Sequence, residues 1–135
     1  MSQEHRYDLH VRWSDVDAYG HVNNVKYFEY FQEARINYLD ELVRAAGGRS
    51  LVVARVTVDY KRPIFFRQRP YHVHTSVLRL GGRSFDLTSR IVDQEADGSP
   101  LLASATAVLV AFDAATQRSR EFDAAEREYL ESQLS

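Results

Sequence analysis

Two carboxylates two positions apart, Asp15 and Asp17, are followed by Gly20, His21, Asn23 and Asn24, all just ahead of a long helix-favouring stretch. The start of a helix exposes unpaired backbone N–H groups and a partial positive charge. Such donors already point to where negative charge develops on a carbonyl oxygen during acyl transfer. A carboxylate beside them can attack the carbonyl itself or draw a proton from water. This chemistry calls for no cofactor. Each residue also has a plainer role. Asp17 suits a turn cap, and Asp15 suits a structural ligand of loop amides or of Arg12. His21 fits a loop hydrogen-bonder as well as a general base, and Asn23 or Asn24 fits a helix N-cap. Capping and carbonyl binding use different atoms, so they are compatible.

The elements that must hold these groups can be read from periodicity. Leu9 to Trp13 alternates and reads as a short strand, followed by a polar turn-prone stretch to Asn23. From Asn24 to Ala46 there is no Pro or Gly, and Tyr27, Phe31, Ala34, Tyr38 and Leu42 recur at steps of three and four. Phe28, Leu39 and Val43 widen that stripe and predict a largely enclosed helix, on the order of 34 Å long. Gly47-Gly48 is its expected stop. The period then becomes two through Val56 to Tyr60, Val73 to Val77 and Phe85 to Ile91, and the apolar run Leu101 to Phe112 suits a central strand. Gly81-Gly82 and Asp97 to Pro100 supply turns. Asp123 and Glu126 form a capping box for a short C-terminal helix. The expected order is strand, long helix, then four strands in hairpin succession. The fold class is therefore α+β: an antiparallel sheet of about five strands wraps around one long central helix.

With 135 residues, the chain is read as a single domain over 1–135. Seventeen Lys and Arg against nineteen Asp and Glu lack the basic excess of a general nucleic-acid binder. The absence of cysteine removes disulfides and thiolate chemistry. No apolar run reaches membrane-spanning length and the N-terminus lacks a secretory pattern, so the expected location is the cytoplasm. His72 and His74 share a strand face without a clear third ligand, so no metal site is expected.

The string WSDVDAYGHVNNVKYFEYFQEAR, Trp13 to Arg35, resembles the signature of hot-dog-fold acyl-CoA thioesterases of the 4-hydroxybenzoyl-CoA thioesterase type. The likeness continues more loosely through Asp59-Tyr60-Lys61-Arg62-Pro63, Arg83-Ser84-Phe85 and the last strand. It implies Asp17 as the catalytic carboxylate, Asp15 as a structural one and the Asn24 backbone amide as the group that polarises the carbonyl. His21, Asn23 and Tyr27 become candidate substrate contacts. Arg62 and the Arg83-Ser84 pair become candidates for holding CoA phosphates, since Arg makes forked contacts with phosphate. The expected partner is an acyl-CoA or acyl carrier protein thioester, handled by a homodimer or homotetramer with sites between subunits. In one departure, Pro63 to Pro70 lacks the Gly-Asp pair that many relatives carry there. An acyl-CoA hydratase and an acyl-CoA-binding module without turnover are the alternative readings.

Overall fold

The computed structural model describes residues 4–47 and 49–134. The chain runs β1 (His5–Leu9), α1 (Lys26–Ala46), β2 (Leu51–Tyr60), β3 (Tyr71–Leu80), β4 (Ser84–Val92), β5 (Leu101–Asp113), β6 (Arg118–Ser119) and α2 (Ala124–Gln133). The main sheet is antiparallel in the order β1-β3-β4-β5-β2, and the two-residue β6 extends the end of β5. One long helix lies in the curl of this sheet, which is the hot-dog fold.

The aromatic stripe of α1 explains that arrangement. Tyr27, Tyr30, Phe31, Ala34, Tyr38 and Leu42 are buried. The first half of the stripe packs with Leu9, Ile64, Val73 and Ile91, and the second half with Val77, Phe85, Leu87, Leu109 and Leu130. On the inner face of β5, Ala103, Ala105, Ala107 and Ala111 are buried. Their small side chains leave room for the helix aromatics. Gly47 ends the helix at φ 92 with its N–H on the Val43 carbonyl; Gly48, the second half of the expected stop, lies outside the described residues. The turns at Gly81-Gly82 and at Asp97 to Pro100 join β3 to β4 and β4 to β5 as expected, with Gly98 at φ 77.

Four expectations need correction. The first strand is His5–Leu9 rather than Leu9 to Trp13, because the chain leaves the sheet after Leu9 and winds into a 3-10 turn at Trp13–Asp15. The helix begins at Lys26, two residues later than expected. Only β3, β4 and β5 follow one another as hairpins: β2 pairs with β5, and β3 with β1. Alternation marks a strand but does not name its neighbour. Finally, α1 is not enclosed, because Phe28, Ile36 and Val43 are 45%, 56% and 43% exposed. The edge strand β2 is likewise open, with Val52 and Val53 exposed.

The C-terminal helix is held by a buried ion pair. Arg120 donates to both Glu126 carboxylate oxygens at 2.7 and 2.9 Å, and also to the carbonyls of Ser50 and Phe112. Glu126 closes the capping box, accepting from the Asp123 N–H at 3.0 Å while Asp123 accepts from its own N–H at 2.8 Å. Burial pushes the Glu126 carboxyl up, but the Arg120 donors and the Asp123 amide outweigh it, so the group sits below its ordinary value. A depressed folded value means stability that is present above the unfolded value and lost as pH falls through the folded one. Glu126→Gln should cost about 3 kcal/mol in urea unfolding at pH 7, as for a buried pair losing one partner. The gap from the parent should narrow as pH drops below about 4.3.

Candidate active site

The loop before α1 is built on two carboxylates with separate tasks. Asp15 is fully buried. Its Oδ2 accepts from the Tyr30 hydroxyl at 2.6 Å and from the Arg12 N–H at 3.1 Å. The Arg12 and Lys26 side chains lie 3.4 and 3.9 Å from Oδ1. Burial raises the Asp15 carboxyl, and the Tyr30 hydroxyl, the Arg12 amide and the two cations together bring it below its ordinary value. The carboxylate therefore stays charged and clamps the loop to the second turn of the helix. The Asn23 N–H adds a bond to the Asp15 carbonyl at 2.9 Å.

Asp17, by contrast, is exposed. Its Oδ1 accepts from the N–H groups of Tyr19 at 2.8 Å and His21 at 3.1 Å. Backbone bonds from Asp17 to His21 and from Gly20 to Asp17 close the same turn, at 2.9 and 3.0 Å. Gly20 takes φ 81 there, a conformation that favours glycine. One oxygen thus anchors the turn, and the other accepts no hydrogen bond from the described residues.

The helix start supplies the donors. Val25 stands at the boundary in helical conformation (φ −65, ψ −26), and no side chain among the described residues caps it. The expected capping by the Asn23 or Asn24 side chain does not occur. Instead their carbonyls accept from Lys26 at 2.9 Å and Tyr27 at 3.3 Å, extending the turn backwards. The N–H groups of Asn24 and Val25 have no hydrogen-bond partner among the described residues. They are the first orphan donors of the helix.

A cleft of about 420 Å³ opens at this point. Its walls bring together Asp17, His21, Asn23, Asn24, Tyr27 and Arg62 from the expected residues. Tyr60, Lys61 and Pro63, which the spacing did not single out, complete the far wall. The two walls are tied by the Val22 N–H to the Ile64 carbonyl at 2.9 Å and by the His21–Phe65 ring contact. Arg83 and Ser84 are not brought to this cleft: they sit at the β3–β4 turn, and Arg83 donates to the Ser119 carbonyl at 3.0 Å. His72 and His74 face Asp8 and Glu4, each at 3.6 Å.

Comparisons with known proteins match the chain over nearly its whole length. The family model described as the thioesterase-like superfamily matches residues 11–130. The long-chain acyl-CoA thioesterase FadM of Escherichia coli (strain K12) is 28% identical over 130 residues, covering 93% of this chain and 96% of that protein. A thioesterase of Thermus thermophilus, solved in complex with coenzyme A and Zn, is 30% identical with a TM-score of 0.76, covering 95% of this chain and 92% of its own. A predicted thioesterase from Bacillus stearothermophilus reaches a TM-score of 0.85 over 98% of both chains at 22% identity, a likeness of fold.

Tyr30→Phe should isolate the clamp, since it removes only the hydroxyl that gives the buried Asp15 Oδ2 the shorter of its two hydrogen bonds. The expected cost is about 2 kcal/mol, the penalty of a buried polar group losing its partner. Faster amide exchange at Asn23, measured by hydrogen-exchange mass spectrometry, should accompany it; unchanged exchange would show that the clamp does not order the loop.

Proposed function

The chain belongs to the thioesterase-like superfamily, and on that premise we propose that it hydrolyses acyl-CoA thioesters to the free acid and CoA. The observation that carries the reading is one cleft lined by both Asp17 and Asn24, whose N–H has no hydrogen-bond partner among the described residues. The thioester carbonyl would lie over that start, its oxygen taking the Asn24 N–H. The donors are fixed before substrate arrives, so they need no reorganisation as charge develops on that oxygen. The free oxygen of Asp17 then attacks the carbonyl, the C–S bond breaks to release the CoA thiolate, and water hydrolyses the resulting mixed anhydride. Alternatively, Asp17 takes a proton from a water that attacks and expels the thiolate. In either route the thiolate leaves as the thiol after gaining a proton. Both routes use protein groups and water alone.

The first helical turn and the far wall fit the rest of the substrate. Tyr27 and Tyr60 give the cleft an aromatic side, and Lys61 and Arg62 bring positive charge to its mouth. The Asp15-to-Asn24 pattern favours the 4-hydroxybenzoyl-CoA thioesterase type, with an acyl or aryl group carried on CoA or on an acyl carrier protein. We assign Asp17 and Asn24 to the chemistry, and His21, Asn23, Tyr27 and Arg62 to substrate contact. The exposed apolar flank of α1 (Phe28, Ile36 and Val43) and the open face of β2 support a homodimer or homotetramer.

The test uses a substitution that keeps the loop intact. An asparagine at position 17 can still accept the Tyr19 and His21 N–H bonds, so Asp17→Asn removes the charge without releasing the turn. It should lower kcat by about 10²–10⁴-fold across a panel of aryl, short-chain and long-chain acyl-CoA esters followed by free-thiol release. An Asp17→Asn protein as fast as its parent would remove Asp17 from the mechanism. A parent that binds these esters tightly and releases no thiol would point instead to a binding module. Sedimentation equilibrium should return twice or four times the chain mass, and a monomer would refute the oligomer.

A further inference from the structure

One group on the far wall reaches across to the helix start. The Tyr60 hydroxyl, at the end of the edge strand β2, donates to the Asn24 carbonyl at 3.0 Å. The same carbonyl also accepts from the Tyr27 N–H at 3.3 Å, and the two tyrosine rings meet edge to face with centroids 4.8 Å apart. Tyr60 therefore touches this turn through its ring and through its hydroxyl. The tie is long-range in sequence, 36 residues apart.

The peptide unit involved matters. The Asn24 carbonyl belongs to the same amide plane as the Val25 N–H, and that N–H has no partner among the described residues. A hydrogen bond accepted at the oxygen of an amide draws charge toward that oxygen and makes the N–H at the other end a stronger donor. It also fixes the tilt of the plane. The Asn24 N–H belongs to the preceding amide, whose oxygen is already engaged by the Lys26 N–H at 2.9 Å. Consecutive unpaired N–H groups at a helix start both point back along the helix axis; Asn24 lines the cleft together with Asp17, and Val25 is the next residue along the chain.

We infer that Tyr60 is a positioning residue for catalysis: by holding and polarising the Asn24–Val25 amide it makes the Val25 N–H a second donor to the thioester oxygen, beside the Asn24 N–H. The inference rests on the hydrolytic reading of the cleft. It gives the strand edge a part in the chemistry, although Tyr60 itself does not touch the reacting atoms. It also accounts for a tyrosine that is 45% exposed at a strand end yet bonded to the backbone of another element.

Tyr60→Phe keeps the ring against Tyr27 and removes only the hydroxyl. With one acyl-CoA ester, kcat should fall about tenfold, less than the loss expected for deleting a donor outright, while KM and the melting temperature stay at the parent values. A readout independent of turnover is the carbonyl stretching frequency of a bound acyl-CoA ketone analogue, in which methylene replaces the thioester sulfur. That frequency should be lower in the parent than in Tyr60→Phe, because a second donor that is held and polarised draws more charge to the carbonyl oxygen than one that is not. An active parent whose Tyr60→Phe variant has the same kcat and the same carbonyl frequency overturns the role of Tyr60, as does a fall in kcat matched by a loss of stability. A parent that releases no thiol overturns the hydrolytic reading instead. In that case a frequency difference between the two proteins upholds the positioning role, and equal frequencies end it.

Discussion

The buried carboxylate of Asp15 holds the working end of the molecule in shape. A charged group with no solvent contact is tolerable only where donors surround it. Here they come from the start of the loop, from the second turn of the helix and from the cations of Arg12 and Lys26. Because Asp15 also accepts the Asn23 N–H on its carbonyl, a single residue fixes where the loop begins and where it re-enters the helix. The Asp17 turn and the unpaired amides of Asn24 and Val25 lie within that span. Their relative placement therefore follows from one internal clamp rather than from many weak surface contacts.

The helix and the sheet divide the remaining work. Aromatic residues on one stripe of α1 fill the curl, and alanines on β5 let them approach. The far end of the helix is stopped at Gly47 and braced by α2, which the Arg120–Glu126 pair ties to Ser50 and to the end of β5. The cleft end can therefore leave the Asn24 and Val25 N–H groups without partners among the described residues, because stability is supplied elsewhere. Such a division is expected where a functional site breaks a local rule, here an uncapped helix start.

Much of this was legible in the sequence for reasons that can be named. The long helix shows itself because its buried stripe repeats at steps of three and four. The Asp15-to-Asn24 segment shows itself because its chemistry is local: Asp17 meets the N–H groups of residues two and four positions on. What was hidden depends on distance along the chain. Alternation in β2 looks the same whether the strand pairs with β3 or with β5, and its apolar residues look buried although the edge is open. The bond between Asp15 and Tyr30 and the reach of Tyr60 to Asn24 span 15 and 36 residues, so no spacing rule announces them. Arg83 lies at the Gly81-Gly82 turn that the sequence marks, and its distance in space from Asp17 is not something that spacing encodes.

The split use of the Asp17 side chain limits how this site can be altered. Because one oxygen is committed to the turn, the position of the other is set by the rigid geometry of a single carboxyl group rather than by side-chain freedom. A longer acid in its place would have to choose between tethering the backbone and presenting a free oxygen to the cleft, since an added methylene displaces both at once. The part of the cleft that can change without disturbing this turn is the opposite wall, where Lys61, Arg62 and Pro63 follow the end of β2.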